Sequence, residues 1–221
     1  MSIDTLMLDV YCERAGAAGL WAEPVNALTN LAFIVAAVVV GLRLARAPGL
    51  GWRNGGDLWL LALLLAVIGV GSGLYHTFAT PWALLADVLP ITLFINVYLL
   101  AFGWRVLGLR WVDLPLLWLG YQAVSFGLVA GVGADALNGS VGYLPALAFL
   151  VAFAWWLHRS RHPMWRTMVL AAALFAVSVT LRTLDPVVCG WLPVGTHFLW
   201  HLLNALLLFL LLDGLLRHGR D

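Results

Sequence analysis

The segment "VGTHFLWHLLNALLLFLLL", residues 194–212, combines a long apolar run with two histidines four residues apart. A membrane-spanning α-helix needs about 20 predominantly apolar residues. The rest of the chain has the same character, because 63% of its 221 residues are hydrophobic and only 10% are charged. Soluble domains carry about 25% charged residues. Twelve tryptophans fit a bilayer environment, since Trp is enriched at membrane interfaces. We therefore predict an all-α, polytopic membrane protein.

Seven apolar segments are long enough to cross a bilayer. Turn-forming stretches rich in Gly, Pro and Asn separate them, and none alternates apolar with polar residues as transmembrane strands do. We predict helices near residues 24–46, 57–77, 82–103, 111–131, 140–158, 165–183 and 194–216. They form one seven-helix domain over residues 1–221. Residues 1–23 are predicted as a short extracytoplasmic segment, since their acidic side chains are not typical of a signal peptide.

The arginines predict the orientation of the bundle. All twelve basic residues are arginine, and they concentrate at the first, third and fifth loops and in the C-terminal tail. The positive-inside rule then places those loops and the C-terminus in the cytoplasm, with the N-terminus outside. The exclusive use of arginine indicates a GC-rich, bacterial genome, so we expect a bacterial inner membrane. With a net charge of +1 and no basic run, we expect no nucleic-acid partner.

Three of the predicted helices carry polar side chains inside the bilayer. Ser72 and His76 end the second span, and Asp87 begins the third. His197 and His201 begin the seventh span, which enters from the same side. At a rise of about 1.5 Å per residue, all five groups are predicted roughly 5–12 Å below the outer surface. Ionisable groups at such depth are costly and usually functional.

The spacing of these residues predicts a zinc site facing the extracytoplasmic leaflet. His197 and His201 share one helix face because they are four residues apart, and His76 approaches from a helix of opposite direction. Three histidines leave a fourth position on Zn²⁺ for a water, and zinc lowers the pKa of that water to about 7. Asp87 would act as general base and later as general acid, while Ser72 donates to the developing oxyanion.

Each of these residues also has a simpler interpretation. Paired histidines on a helix are often hydrogen-bonded core residues, or reach the membrane interface. Asp87 could cap its helix, and Ser72 lies between Gly69 and Gly73, a spacing typical of close helix packing. Haem is another use of buried histidines, although no CxxCH motif occurs. The convergence of all these groups at one depth favours the zinc interpretation.

Acidic residues precede the first span. Asp9, Glu13 and Glu23 are followed by Asn26 and Asn30, and carboxylate and amide oxygens together form the ligand set of Ca²⁺. The alternative, which composition favours, is a solvated acidic segment that caps the first helix near Glu23. The two asparagines would then form hydrogen bonds between helices.

The two cysteines, Cys12 and Cys189, are both predicted outside the cytoplasm, where disulfides persist. A bridge between them would tie the N-terminal segment to the loop before His197. Arg182 and Asp185 flank the same loop and could form a structural ion pair.

Three stretches, "YCER…LWAEPVNALTNLAF", "GSGLYHTFATPWALLADVLP" and "GTHFLWHLLNA", resemble the alkaline ceramidase family, within the CREST group of seven-span membrane hydrolases. The resemblance runs in order from Tyr11 to Asn204. It implies hydrolysis of the amide bond of ceramide to sphingosine and a fatty acid. It implies zinc ligands His76, His197 and His201, Asp87 and Ser72 beside the metal, and a Cys12–Cys189 disulfide. Glu13 and Glu23 match the family's calcium motif, whereas Asp9 lies one residue too far from Cys12 and Ala15 replaces an asparagine.

We therefore predict an intramembrane, zinc-dependent amidohydrolase that acts on ceramide or another N-acyl lipid. A lipid esterase is one alternative. Another is a seven-helix receptor or lipid chaperone with a structural zinc. A transporter would need ionisable groups through the full membrane depth, or inverted repeats, and the sequence has neither. No oligomeric state follows from the sequence.

Overall fold

The structure, a computed structural model, describes residues 10–17 and 19–219. These residues form eight α-helices and no strand. The helices are α1 (Pro24–Thr29), α2 (Leu31–Arg46), α3 (Trp52–Phe78), α4 (Pro81–Arg105), α5 (Leu114–Val132), α6 (Leu144–Arg159), α7 (Trp165–Val188) and α8 (His197–His218). A short 3-10 helix, Ser140–Tyr143, leads into α6. With α1 and α2 forming one span, seven helical segments are long and apolar enough to cross a membrane. The prediction of an all-α, seven-helix protein is confirmed.

Several helix ends, including those of α3, α7 and α8, differ from the predicted bounds by three residues or more. Helix α3 begins at Trp52 rather than 57, because the polar residues before the apolar run still fold as helix, with a kink at Gly55. Helix α7 continues past 183 to Val188 and includes Pro186. Helix α8 begins at His197 instead of 194, since Gly195 has a φ of +70° that no α-helix accommodates. The apolar pattern of the sequence does not locate these helix ends, because they lie in polar residues or next to turns.

Close contact between α3 and α4 depends on Gly71. A Cβ atom at this position would overlap the carbonyl oxygen of Ala86 on α4. Gly69 instead faces α2, where an added Cβ would lie 3.0 Å from the carbonyl oxygen of Asn30. Gly73, four residues after Gly69, has open space around it and so does not take part in the close packing that this spacing predicted. The approach at Gly71 brings the end of α3 against the start of α4.

The two ends of the bundle carry different polar groups. Ion pairs join Arg43 and Arg217 to Asp213, and Arg105 to Asp57, at the end where α3 begins and α8 finishes. The three histidines lie at the opposite end, where α3 finishes and α8 begins. The direction of this axis across the membrane stays a prediction from the arginines.

Helix α5 is the least embedded of the spans. Tyr121 is its one buried residue, and large apolar side chains such as Leu116 and Phe126 are 70% and 78% exposed. In a bilayer most of this helix therefore contacts lipid.

Candidate metal centre

Three histidines meet at one end of the bundle. His76 lies in the last turn of α3, His197 is the first residue of α8, and His201 follows one turn later. Their exposed fractions are 0%, 2% and 1%. The ring centroids are 4.7–5.1 Å apart, and the candidate ligand atoms all lie within 4.8 Å of one another. In the described part of the chain, this is the single such cluster of His, Cys, Asp or Glu that could hold a metal ion.

A carboxylate fixes the orientation of His76. Its Nδ1 atom lies 2.6 Å from Oε2 of Glu23. A carboxylate only accepts hydrogen bonds, so Nδ1 carries the proton and Nε2 keeps its lone pair. That Nε2 atom is buried and has no hydrogen-bond partner among the described residues. A carboxylate behind a histidine is the usual outer shell of a metal-binding imidazole.

A hydroxyl group fixes the orientation of His201 in the same way. Oγ1 of Thr29 lies 2.9 Å from Nδ1 of His201 and 2.8 Å from the carbonyl oxygen of Val25. The hydroxyl has one proton, which it donates to the carbonyl, so its oxygen accepts from Nδ1–H. Nε2 of His201 is then a lone-pair donor, and it too is buried without a partner in the described structure.

His197 is held by its backbone and by its ring face. Its N–H donates to Oδ1 of Asp185 over 2.8 Å, and its ring stacks on Tyr11 with centroids 3.6 Å apart. Nδ1 of His197 is a third buried nitrogen with no hydrogen-bond partner within the described residues. Burial raises the pKa of Tyr11, so its phenol stays protonated. Three unpartnered imidazole nitrogens at one point fit the donor set of Zn²⁺.

Asp185 organises the loop before α8. Its Oδ1 atom also accepts the N–H of Thr196 over 2.6 Å, and its Oδ2 atom accepts the N–H of Cys12 over 3.0 Å. A Cβ atom at Gly195 would overlap this carboxylate. The buried Asp185 thus caps α8, because its carboxylate accepts hydrogen bonds from backbone N–H groups that have no acceptor within the helix.

Arg182 and Asp185 do not share a hydrogen bond in the described structure, contrary to the pairing suggested by their positions. Arg182 donates to the carbonyl oxygen of Asn138, to Oγ of Ser140 and to the hydroxyl of Tyr11. Asp185 does not pair with Arg182 because its carboxylate already accepts hydrogen bonds from the backbone N–H groups of Cys12, Thr196 and His197.

The two cysteines form a disulfide, Cys12–Cys189. It fastens the N-terminal segment to the end of α7, next to Asp185. Tyr11 thereby lies over His197, and the segment covers the histidines from outside the bundle.

Asp87 and Ser72 lie on facing helices beside His76. The packing of Gly71 against the backbone of Ala86 and Asp87 brings Ser72 close to Asp87, whose carboxyl group also interacts electrostatically with His76. Oδ1 of Asp87 is buried and has no hydrogen-bond partner among the described residues. A carboxylate oxygen in this state is available to accept a proton.

The residues predicted for calcium have other partners where they are described. Glu13 accepts the N–H groups of Val25 and Asn26 over 2.7 and 2.8 Å, and so caps α1. Glu23 pairs with Arg14, Asn26 and His76. Burial alone would raise the pKa of Glu23, but the hydrogen bonds from these three side chains lower it, so the carboxyl group is ionised. Asp9 lies outside the described residues.

An apolar cavity lies inside the bundle, and its lining includes Trp200 and Asn204, which neighbour His201 along α8. On α8, Asn204, Leu208 and Leu211 line it and share the helix face of His197 and His201. On α3, Ile68 lies one turn below Ser72. On α4, Ile91, Phe94 and Tyr98 continue the face of Asp87. On α8 alone, the lining from Trp200 to Leu211 corresponds to about 17 Å of depth. Each of the three helices therefore carries polar groups at its end and cavity-lining residues directly beneath them.

Sequence reasoning did not identify four residues of this site. Thr29, Tyr11 and Arg14 contact histidines that are distant along the chain, whereas Asp185 lies 12 residues before His197. Only Asp185 had a usable signal, because a carboxylate within an apolar helix is costly unless it is hydrogen-bonded.

A family model described as Ceramidase matches residues 11–215. The chain belongs to the ceramidase family. A search of curated proteins found no match. Ceramidase membership, together with seven apolar helices, indicates a multi-pass membrane hydrolase that acts on amides. In this ceramidase-family protein the three-histidine cluster could hold a metal ion.

Proposed function

We propose that this protein is a zinc-dependent intramembrane amidohydrolase that cleaves the amide bond of ceramide or a related N-acyl lipid. The observation that carries the proposal is the shared arrangement of α3, α4 and α8. Each places its histidine, serine or aspartate immediately above residues that line one apolar cavity. A lipid whose acyl chain occupies this cavity has its amide group at the level of the histidines.

The proposed chemistry divides between the metal and two side chains. Zinc held by His76, His197 and His201 would lower the pKa of a bound water and polarise the acyl carbonyl. Oδ1 of Asp87 accepts a proton from the attacking water as the water oxygen bonds to the acyl carbon. The Ser72 hydroxyl donates to the carbonyl oxygen as negative charge develops there.

Asp87 then delivers its proton to the leaving nitrogen as the carbon–nitrogen bond breaks. The products are a fatty acid and an amine, and Asp87 returns to its ionised state. One carboxyl group can perform both steps because it accepts a proton when it is ionised and donates that proton when it is neutral.

The test is a panel of N-acyl and ester lipids with matched acyl chains, incubated with purified protein with and without a zinc chelator. Mass spectrometry of the products distinguishes an amidase from an esterase. We expect one zinc per chain, amide cleavage that the chelator abolishes, and loss of zinc in His201→Ala. Protein without zinc, or full activity in His201→Ala, contradicts the proposal.

The variant Asp87→Asn distinguishes a hydrolase from a protein in which the zinc has only a structural role. A hydrolase keeps its zinc and loses about 10²–10⁴-fold in turnover, the usual contribution of a general base. Equal turnover in Asp87→Asn and the wild type would leave the zinc with a structural role.

We also propose that the site faces the extracytoplasmic leaflet, as the arginines predict. Both native cysteines are bonded to each other, so an introduced cysteine reports its own accessibility. On intact cells, a membrane-impermeant maleimide should label Asp135→Cys at the site end and leave Arg161→Cys unlabelled. The reverse pattern contradicts this orientation.

A further inference from the structure

Arg14 is a buried cation with no obvious place in the proposed chemistry. Its exposed fraction is 2%, although it belongs to the short segment before α1. A buried charge is stable only when it is paired and hydrogen-bonded. Nε of Arg14 donates to Oε1 of Glu23 over 2.6 Å, and that carboxylate is equally buried.

Arg14 contacts the His76 region by two routes. The first passes through Glu23, whose Oε1 accepts from Arg14 while its Oε2 accepts from Nδ1 of His76. The second is direct, because Nη2 of Arg14 donates over 3.2 Å to the carbonyl oxygen of His76. This carbonyl is among the last four of α3, which have no intrahelical donor, and a cation is favourable at a helix C-terminus.

The acidic and amide side chains around Arg14 offer a calcium ion few free oxygen atoms. Ca²⁺ takes about six to eight oxygen ligands. Both oxygens of Glu13 accept backbone N–H groups, and both oxygens of Glu23 accept from side chains. The amide oxygens of Asn26 and Asn30 are buried without described partners, but two neutral oxygens do not make a calcium site. The described residues do not fit calcium.

We propose that Arg14 is a built-in cation that makes calcium unnecessary and positions His76 for the metal. Its guanidinium group supplies the positive charge that Glu23 requires. Glu23, held in this way, keeps the His76 ring turned so that Nε2 points away from the carboxylate. Arg14 is thus a positioning residue. This inference rests on the metal centre of the proposed function.

The calcium part is tested on the wild-type protein. Melting temperature, zinc content and lipid hydrolysis are measured with millimolar Ca²⁺ and with a calcium-selective chelator, and calcium binding is measured by radioactive ⁴⁵Ca²⁺. We expect no calcium bound and no change in any of the three properties. Stoichiometric calcium binding, or a calcium-dependent rise in melting temperature, overturns the proposal.

The positioning part is tested with Arg14→Ala. Outer-shell substitutions typically lower metal affinity by about 10–100-fold, and we expect a loss of that size for zinc, measured by competition with a chelator. Added guanidinium ion should recover part of it by entering the space left by the side chain. In cobalt-substituted protein, the d–d absorption bands should shift in the variant and return with guanidinium.

Arg105→Ala is the matched control. Arg105 is also a buried arginine paired with a carboxylate, Asp57, but it lies at the opposite end of the bundle. Its removal should lower the melting temperature and leave zinc affinity and the cobalt bands unchanged. Equal zinc affinity in Arg14→Ala and the wild type, or an equal loss in Arg105→Ala, overturns the positioning role.

If Arg14→Ala does not fold, Arg14→Lys is used to test the positioning role instead. Lysine keeps the charge but cannot hold Glu23 and the His76 carbonyl with one planar group. We expect shifted cobalt bands and weaker zinc binding, and unchanged values overturn the proposal. A wild-type protein that binds no zinc at all refutes the proposed function instead, so the two failures are distinguishable.

Discussion

Oδ1 of Asp185 lies 2.8 Å from the backbone nitrogen of His197, the first residue of the helix that carries two of the three histidines. The carboxylate that caps α8 thereby sets the position of a candidate metal ligand. The same carboxylate holds the N–H of Cys12, so the cap, the disulfide and the ligand form one connected group.

Asp185→Ala should therefore weaken both folding and metal binding. It leaves the N–H groups of Cys12, Thr196 and His197 without their acceptor, and a buried unsatisfied group costs about 1–3 kcal/mol. We expect a lower melting temperature and reduced zinc affinity. Asp113→Ala removes a carboxylate that pairs with the exposed Arg110 and should change neither. A wild-type melting temperature in Asp185→Ala would contradict the role of this cap.

Thr29→Val should weaken zinc binding without removing a ligand. Valine has nearly the shape of threonine but cannot accept the proton of Nδ1 of His201, so the ring loses its fixed orientation. We expect zinc affinity to fall by about 10–100-fold, measured by chelator competition. Thr29→Ser keeps the hydroxyl and should stay near the wild type. Indistinguishable affinities in the two variants would show that the hydrogen bond has no such effect.

Gly71→Ala should separate α3 from α4, because the new Cβ atom would overlap the carbonyl oxygen of Ala86. Ser72 is the next residue, so its approach to Asp87 depends on this contact. We expect a lower melting temperature and a larger loss of turnover than of zinc. Gly73→Ala, with open space around it on the same helix, is the control. The prediction fails if both variants behave alike.

Leu208→Trp should shorten the apolar cavity. Leu208 lines it on the face of α8 below the histidines, and a larger side chain there fills the space of the acyl chain. Hydrolysis of long-chain N-acyl lipids should decrease relative to short-chain ones, as measured by product ratios in mixed-substrate assays. Leu206→Trp, at an exposed position on the same helix, should leave the ratio unchanged. A chain-length profile that Leu208→Trp does not alter would place the acyl chain elsewhere.

The parts of the site that the sequence predicted depend on local spacing. His197 and His201 share a face because of helical periodicity, and the topology brought His76 to the same depth. Those inferences need only segment lengths and charge bias, and the structure brings these three residues together. The seven-helix fold follows from composition in the same way.

The parts that the sequence did not predict depend on contacts between distant residues. Glu23 lies 53 residues from His76, and Thr29 lies 172 residues from His201. No pattern in one segment reports a partner so far away. The acidic character of Glu13 and Glu23 was visible, but whether a carboxylate binds a helix end, an arginine or an ion depends on the packing of α1 against α3.

The Cys12–Cys189 disulfide also makes the chain a closed covalent ring that contains six of the seven spans and leaves α8 outside it. A protease that cuts any one loop within the ring leaves a single molecule on a non-reducing gel. A cut between residues 190 and 196 instead releases α8 and, with it, two of the three histidines. The seven residues of that connection are therefore the one interhelical loop whose integrity the covalent ring does not protect.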